Sequence, residues 1–446
     1  MTESRREFLG KISGGLGLAG AGTIGLAGCS FLQGDDEPAP IDIDEAELMA
    51  ILDIDTPHIA DPFPGGIADS HVETHRSRAE TLLDEVPSSL GEIQNEAVRN
   101  YISEEQTRAR EYLGSTTDDP SNYAMLSTLT TARRHAAAAE GAYAAARAER
   151  VREDVYEEID SVQSQLSTLQ AGLERIGEMP REAVLVYAVV ETRLDSRRLD
   201  GATNQSPQAS EVEAVGEAGG KLEVRRADLD FVRYVVENRT GGQNFNDTFE
   251  QLAREGVADL DPRPGDLPAE YDSVDGLGKQ LFDAPVSDTP RAYIAQTLVR
   301  WSGTRDEIQD EIDNGRLASA VLKLYSYEHT RRAIDSMQQR IADGAYDRPE
   351  DGELTRQTKE MAVAEIEAVL AKAEHPELVQ QRVDAVLGQI AAGDLDLDQT
   401  IPSHRGREGG PVSAQDVIVA TAKYAVALEH ARTLPETTAW FVELLP

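Results

Sequence analysis

Three groups of side chains in this 446-residue chain have the types and spacing for chemistry. His71 and His75 are four apart on a stretch that reads as helix, so both rings can face one way. Neutral imidazoles at that spacing suit Zn²⁺ or another transition metal. The metalloprotease pattern would put Glu directly after the first His, but Val72 stands there and Glu73 points elsewhere. A second group is repeated: Tyr327-Glu328-His329-Thr330-Arg331 recurs as Leu428-Glu429-His430-Ala431-Arg432. On facing helices, Glu328, His329 and Arg332 with Glu429, His430 and Arg432 would bring acid–base groups together, which catalysis would need in a pocket that shifts their pKa. The plainer reading makes Glu328 and Arg332 an ordinary i,i+4 pair. Arg331 falls in the apolar stripe Leu324, Tyr327, Ile334, Met337, Ile341, so a partly buried Arg with a carboxylate partner is expected. The third group is the Gly-rich loop Ser403–Gly410, with Arg405 and Arg407, whose backbone amides could hold an anion. It lacks the lysine of a phosphate loop. No nucleophile elbow, dinucleotide fingerprint or calcium loop is present, so no catalytic residue and no cofactor is assigned. The body reads as one that binds or assembles, not as an enzyme.

Cys29 is the only cysteine, which excludes an intramolecular disulfide and leaves one thiol to explain. Its surroundings explain it. Ser4-Arg5-Arg6 is followed by Phe8-Leu9, then Lys11, then the Gly- and Ala-rich apolar run Ile12–Gly28. That order resembles a twin-arginine export signal, and Leu26-Ala27-Gly28-Cys29 resembles a lipobox, where cleavage precedes the Cys and its sulfur takes a lipid. The likeness is to haloarchaeal twin-arginine-exported lipoproteins and is confined to the signal region. It implies a signal peptide over 1–28, export machinery and membrane lipid as partners, and a body on the outer face of the cytoplasmic membrane. One acyl chain anchors only marginally, so a second chain or contact is implied. Exported helical proteins of the imelysin-like family carry Gly-x-His-x-x-Glu; here Asp69 precedes His71 and Thr74 follows it at those positions. The similarity is one of export and helicity, and it implies an alternative: ligand or metal capture for a transporter.

The net charge is −38, and 43 basic residues include only seven Lys against 36 Arg. Abundant Asp and Glu with little Lys resembles proteins of extreme halophiles. At molar salt the Debye length falls to about 3 Å and the self-repulsion is screened. The charge excludes nucleic acid as a partner, since that needs clustered basic residues. A surface protein partner stays compatible with it. Three sequons occur among eight Asn, at Asn204, Asn238 and Asn246, and are glycosylation candidates.

The elements that must position these residues read as helices throughout, giving an all-α fold of antiparallel bundles or a helical array. Residues 29–44 are a polar tether, and helix is expected over Glu45–Leu52 and Ile67–Val86. Ser89-Leu90-Gly91-Glu92 matches a capping box opening a helix to about Leu113. A long helical segment follows to about Gly177. Its seam of Val155, Ile159, Val162, Leu166, Leu169, Leu173 and Ile176 has a 3.5-residue period and suggests a short coiled-coil-like hairpin. The Ala-rich run Ala136–Ala148 allows close helix approach, and Ala183–Val190 reads as a fully buried central helix. Residues 201–220 read as a linker between an N-terminal domain, 45–200, and a C-terminal one, 221–446. Further helices are expected at Phe245–Leu260, Pro290–Gly344, Leu354–Ala373, Pro376–Ala392 and Val412–Leu434, with an irregular stretch over Gly256–Pro290. If the charge is an adaptation to salt, circular dichroism will show helicity falling as salt is lowered from molar to millimolar. Unchanged helicity across that range refutes it.

Overall fold

The computed structural model describes residues 41–59, 63–116, 121–195, 210–239, 241–260, 289–291, 293–294, 304–401 and 412–445. The signal residues Ser4, Arg5, Arg6, Phe8 and Leu9, the lipidation candidate Cys29, Asn204 and the Ser403–Gly410 loop lie outside them. Among the described residues the fold is all-α: thirteen helices, with one antiparallel pair of two-residue strands, β1 (Ile176–Gly177) and β2 (Gln243–Asn244). The chain forms two compact units. An inserted unit comprises 63–249 and 315–319, and a terminal unit comprises the described residues of 1–62, 250–314 and 320–446.

The inserted unit contains α2 (Asp69–Asp84), α3 (Glu96–Ser115), α4 (Asn122–Ala146), α5 (Arg152–Ala171), α6 (Pro180–Leu194) and α7 (Glu211–Asn238). Its axis is the pair α4 and α7. The Ala-rich run expected to permit close approach does so: Ala136, Ala137, Ala138, Ala139 and Ala142 are buried in α4. Facing them, α7 presents Gly216, Gly219 and Gly220, and a Cβ on Gly216 would stand 2.7 Å from the Ala138 carbonyl oxygen. Helix α6 begins with Pro180 in its first turn and buries Ala183–Ala188 and Val190, as its apolar run requires. The seam of α5 packs toward α7 with Val155, Val162 and Leu166 buried. It is shorter than its periodicity suggests. The chain turns at Arg147–Val151, where Ala148 has φ 58°, and α5 ends at Ala171, so Leu173 and Ile176 lie beyond the helix. No coiled-coil hairpin of the expected length results.

Two other expectations need correction. Helix α3 starts at Glu96, not after Ser89, because Asn95 Oδ1 accepts from the amides of Ala97 and Val98. Leu90 and Ile93 are instead buried in the preceding turn. Residues 211–220 are not linker but the first turns of α7, opened by a capping box between Ser210 and Glu213. The glycines read there as loop signals are packing residues against α4.

The terminal unit contains α1 (Glu45–Leu52), α9 (Thr304–Asp313), α10 (Leu317–Ala342, from Ala320), α11 (Gly352–Lys372), α12 (Pro376–Thr400) and α13 (Ala414–Leu444), and α8 (Asn246–Asp259) enters it at Glu250. Helix α1, read as the start of an N-terminal domain, belongs here. It is opened by an Asp44–Glu47 capping box, and its C-terminal carbonyls at Ile51 and Leu52 accept from the Lys359 ammonium, at 2.9 and 3.5 Å. Lys359 is fully buried, and its charge is met by Asp394 at 2.8 Å. Helix α13 runs ten residues past its expected end at Leu434. Pro435 is absorbed on the exposed side of the helix while Leu434, Thr437, Thr438 and Phe441 stay buried on the other, which holds the last turns in place.

The α4–α7 contact can be tested with two glycines of opposite surroundings. Gly216→Ala will destabilise by about 1–3 kcal/mol, because its Cβ meets backbone oxygen. Gly388→Ala in α12, where nothing lies within 4 Å of the added Cβ, will stabilise by about 0.5–1 kcal/mol. Urea unfolding of both variants checks the pair.

Candidate functional site

In the inserted unit the chemistry-bearing residues converge on Arg133 of α4. Its Nε and Nη2 donate to Glu223 Oε1 at 3.0 and 2.7 Å. Nη1 donates to His75 Nδ1 at 3.1 Å, and both terminal nitrogens reach Asp230 Oδ2 at 3.2 Å. All five N–H groups of the guanidinium are thereby placed, and its side chain is 3% exposed. Glu223 also accepts from Arg78 Nε and Nη2, at 3.0 and 3.1 Å. Burial works to raise the Glu223 carboxyl, but the Arg78 hydrogen bonds and the Arg133 charge outweigh it and hold the group below the ordinary carboxylate range. A cleft of about 400 Å³ opens beside this cluster, lined by Thr74, Arg78, Arg133, Arg226, Leu229 and Asp230.

The structure does bring His71 and His75 together, with ring centroids 4.8 Å apart, and His71 stacks on Tyr234 at 4.2 Å. Both Nε2 atoms are sealed from solvent and without a partner. Accepting from Arg133 fixes the His75 proton on Nε2, the atom a metal would need bare. Burial, then the Arg133 charge, pushes the His75 imidazole down to about 2. Burial also lowers His71. Among the described residues no group of three or more His, Cys, Asp or Glu is placed to hold a metal ion. His75 is therefore a neutral acceptor beside a cation, which suits an arginine partner better than a metal, and His71 packs between it and Tyr234.

In the terminal unit the repeated motif also converges. His329 on α10 donates from Nε2 to the His430 carbonyl of α13 at 2.7 Å, and the two rings meet edge to face at 4.7 Å. His329 Nδ1 accepts from Arg382 Nε of α12 at 3.2 Å, and Arg382 Nη1 donates to Ser326 Oγ at 2.7 Å. Burial drives His329 well below its ordinary value and pushes His430 down to about 3, with Arg382 adding to both. The glutamates are held apart from this cluster. Glu328 is buried, not surface-exposed, and binds Arg331 and Arg332, each at 2.7 Å. Arg331 has the carboxylate partner expected of it. Glu429 is fully buried and accepts from Ser336 at 2.6 Å, Tyr346 at 2.7 Å and Arg432 at 2.5 Å. Glu328, Glu429 and His329 are thus each engaged by fixed partners.

Two family models match the chain. One is a domain of unknown function, DUF8262, over residues 70–243. The other is a domain of unknown function, DUF8264, over residues 246–443. No curated protein and no solved structure matches the chain. The first match holds the His71–His75 cluster and the second the His329–His430 cluster.

The remaining candidates separate by exposure. Asn238 is exposed at the end of α7, its amide donating to the Tyr234 carbonyl. Asn246 is half-buried: its amide donates to Leu173 O at 3.0 Å and its Oδ1 accepts from Arg175. A glycan there would have to break these bonds, so the geometry favours Asn238. Arg133, Glu223, Arg382 and Glu191 were not singled out in the sequence. Glu191 is fully buried and takes hydrogen bonds from Arg175 Nε at 2.6 Å and from the amides of Ala318 and Ser319. The available signal was charge at positions where a helix face required apolar residues.

The pH dependence of stability follows from the imidazoles. The unfolded chain protonates His75 near its ordinary value, about 6.5, and the folded chain does not until about 2. Stability is therefore full above about pH 6.5 and falls as pH drops, by up to about 1.4 kcal/mol per unit for each such group. The Glu223 contribution is lost lower, below the ordinary carboxylate range. Urea midpoints between pH 7.5 and 5 will fall for the wild type and fall less steeply for His75→Gln; equal slopes would contradict the neutral, buried assignment.

Proposed function

We propose that this chain is an exported, lipid-anchored protein on the outer face of the cytoplasmic membrane of a halophile, and that its helical body acts by binding or assembly. The observation that carries this reading is the order Arg5-Arg6, apolar run, sole cysteine at Cys29, then a polar tether. Three features support it. No helix among the described residues is long and apolar enough to cross a membrane, which is compatible with attachment through the lipid on Cys29. The first described helix, α1, starts at Glu45, where the tether ends. Glu328, Glu429 and His329 are committed to internal ion pairs and hydrogen bonds, which favours binding over catalysis.

The experiment is expression in a haloarchaeal host. Arg5→Lys with Arg6→Lys will leave full-length precursor in the cytoplasm. Cys29→Ser will export the body without lipid and release it to the medium. Normal export of the double-lysine variant, or membrane retention of the serine variant, overturns the reading.

A further inference from the structure

Arg382 is the one buried guanidinium described above that is not matched by a carboxylate. The residue is 8% exposed, and its partners are the neutral Ser326 hydroxyl and the neutral His329 ring. Among the described residues no Asp or Glu pairs with it. Burial lowers its pKa, and among the described residues only Tyr325 opposes this. Elsewhere in the terminal unit the rule holds: Lys359 meets Asp394, Lys423 meets Asp396 at 2.6 Å, and Arg331 and Arg332 meet Glu328. A buried charge without a counter-charge is costly, and proteins pair such charges.

The unused part of the guanidinium has a definite form. Nε is spent on His329 and one Nη1 proton on Ser326. Among the described residues Nη2 has no hydrogen-bond acceptor. The remaining N–H groups, one on Nη1 and two on Nη2, lie in the plane of the guanidinium. Beside them, His329 and His430 are neutral, so the cluster carries a single positive charge. A divalent anion would bring a second charge that nothing there offsets.

We infer that Arg382, held by Ser326 and His329, is the anchor of a binding site for a small monovalent anion, with a halide as its occupant. The anion supplies the counter-charge that is missing among the described residues, and it couples the packing of α10, α12 and α13 to the anion content of the solvent. The anion binds the folded chain and not the unfolded one, so it raises stability by mass action.

The test uses the full chain at constant potassium concentration, with chloride replaced stepwise by gluconate. Wild type will give a saturable excess broadening of the chloride-35 resonance, and its thermal midpoint will rise with chloride. Arg382→Met will lose both effects, and in gluconate its midpoint will equal or exceed that of the wild type, because a buried unpaired charge has gone. Arg382→Lys, which keeps the charge but not the fork, will weaken the saturable component several-fold. Equal broadening by wild type and Arg382→Met, or equal chloride dependence of their midpoints, overturns the site. A readout free of substitutions is anomalous scattering from wild-type crystals grown in bromide. A peak within hydrogen-bonding distance of Arg382 Nη2 supports the site, and its absence overturns it.

Discussion

A guanidinium taken out of water must have its N–H groups met, and Arg133 meets that demand only if three helices stand in one arrangement. His75 comes from α2, Arg133 from α4, and Glu223 and Asp230 from α7. The hydrogen-bond lengths leave little room for sliding. On α7 the same face continues from Asp230 through Glu223 to Gly220, Gly219 and Gly216, and on α4 from Arg133 through Ala137 to Gly141. Charge fixes the register at one end of this contact and absent side chains allow it to close at the other. Slip by one residue would strand Arg133 and drive a side chain into backbone oxygen. Removing one partner of such a buried pair costs about 3–5 kcal/mol, because the other charge remains.

The terminal unit follows the same economy of donors and acceptors with other residues. Glu429 is shut away from solvent and met by a hydroxyl, a phenol and a guanidinium. Tyr346 accepts a left-handed backbone, φ 62°, to deliver its hydroxyl there. Such a conformation is uncommon for a bulky residue and persists where its surroundings fix it. His75 and His329 accept from buried arginines, and His329 also donates to a backbone carbonyl.

Much of the helical layout could be read from residues alone. Apolar spacing and Pro or Gly punctuation placed α1, α2, α6 and α8 within a few residues of where they lie, and the Ala-rich run correctly announced a close helix contact. Local signals failed where tertiary packing overrode them. Gly216, Gly219 and Gly220 look like a loop until α4 is placed against them, and Pro435 looks like a stop until Phe441 is seen to be buried. The signal Ser89–Glu92 lost to Asn95 because Leu90 and Ile93 had a core to enter. Pairing of the two Glu-His motifs was legible as repetition, and it brought the histidines together. The roles of Arg133, Glu223 and Arg382 were not legible, since an Arg or Glu on a helix reads as surface until burial shows otherwise.

The contact between Lys359 and the end of α1 joins residues 308 positions apart. Closing so long a loop costs entropy that local contacts cannot return, and such contacts form late. Helix α1 leaves the ribosome ahead of the other described helices, yet its resting place on α11 is synthesised only after the whole inserted unit. The terminal unit is thus the last to be completed, although it holds the first described helix. A fragment cut to the boundaries of the second family match would lack α1 and leave the Lys359 ammonium facing two missing carbonyls. Whatever is attached ahead of Glu45 is therefore fastened to the part of the molecule that finishes folding last.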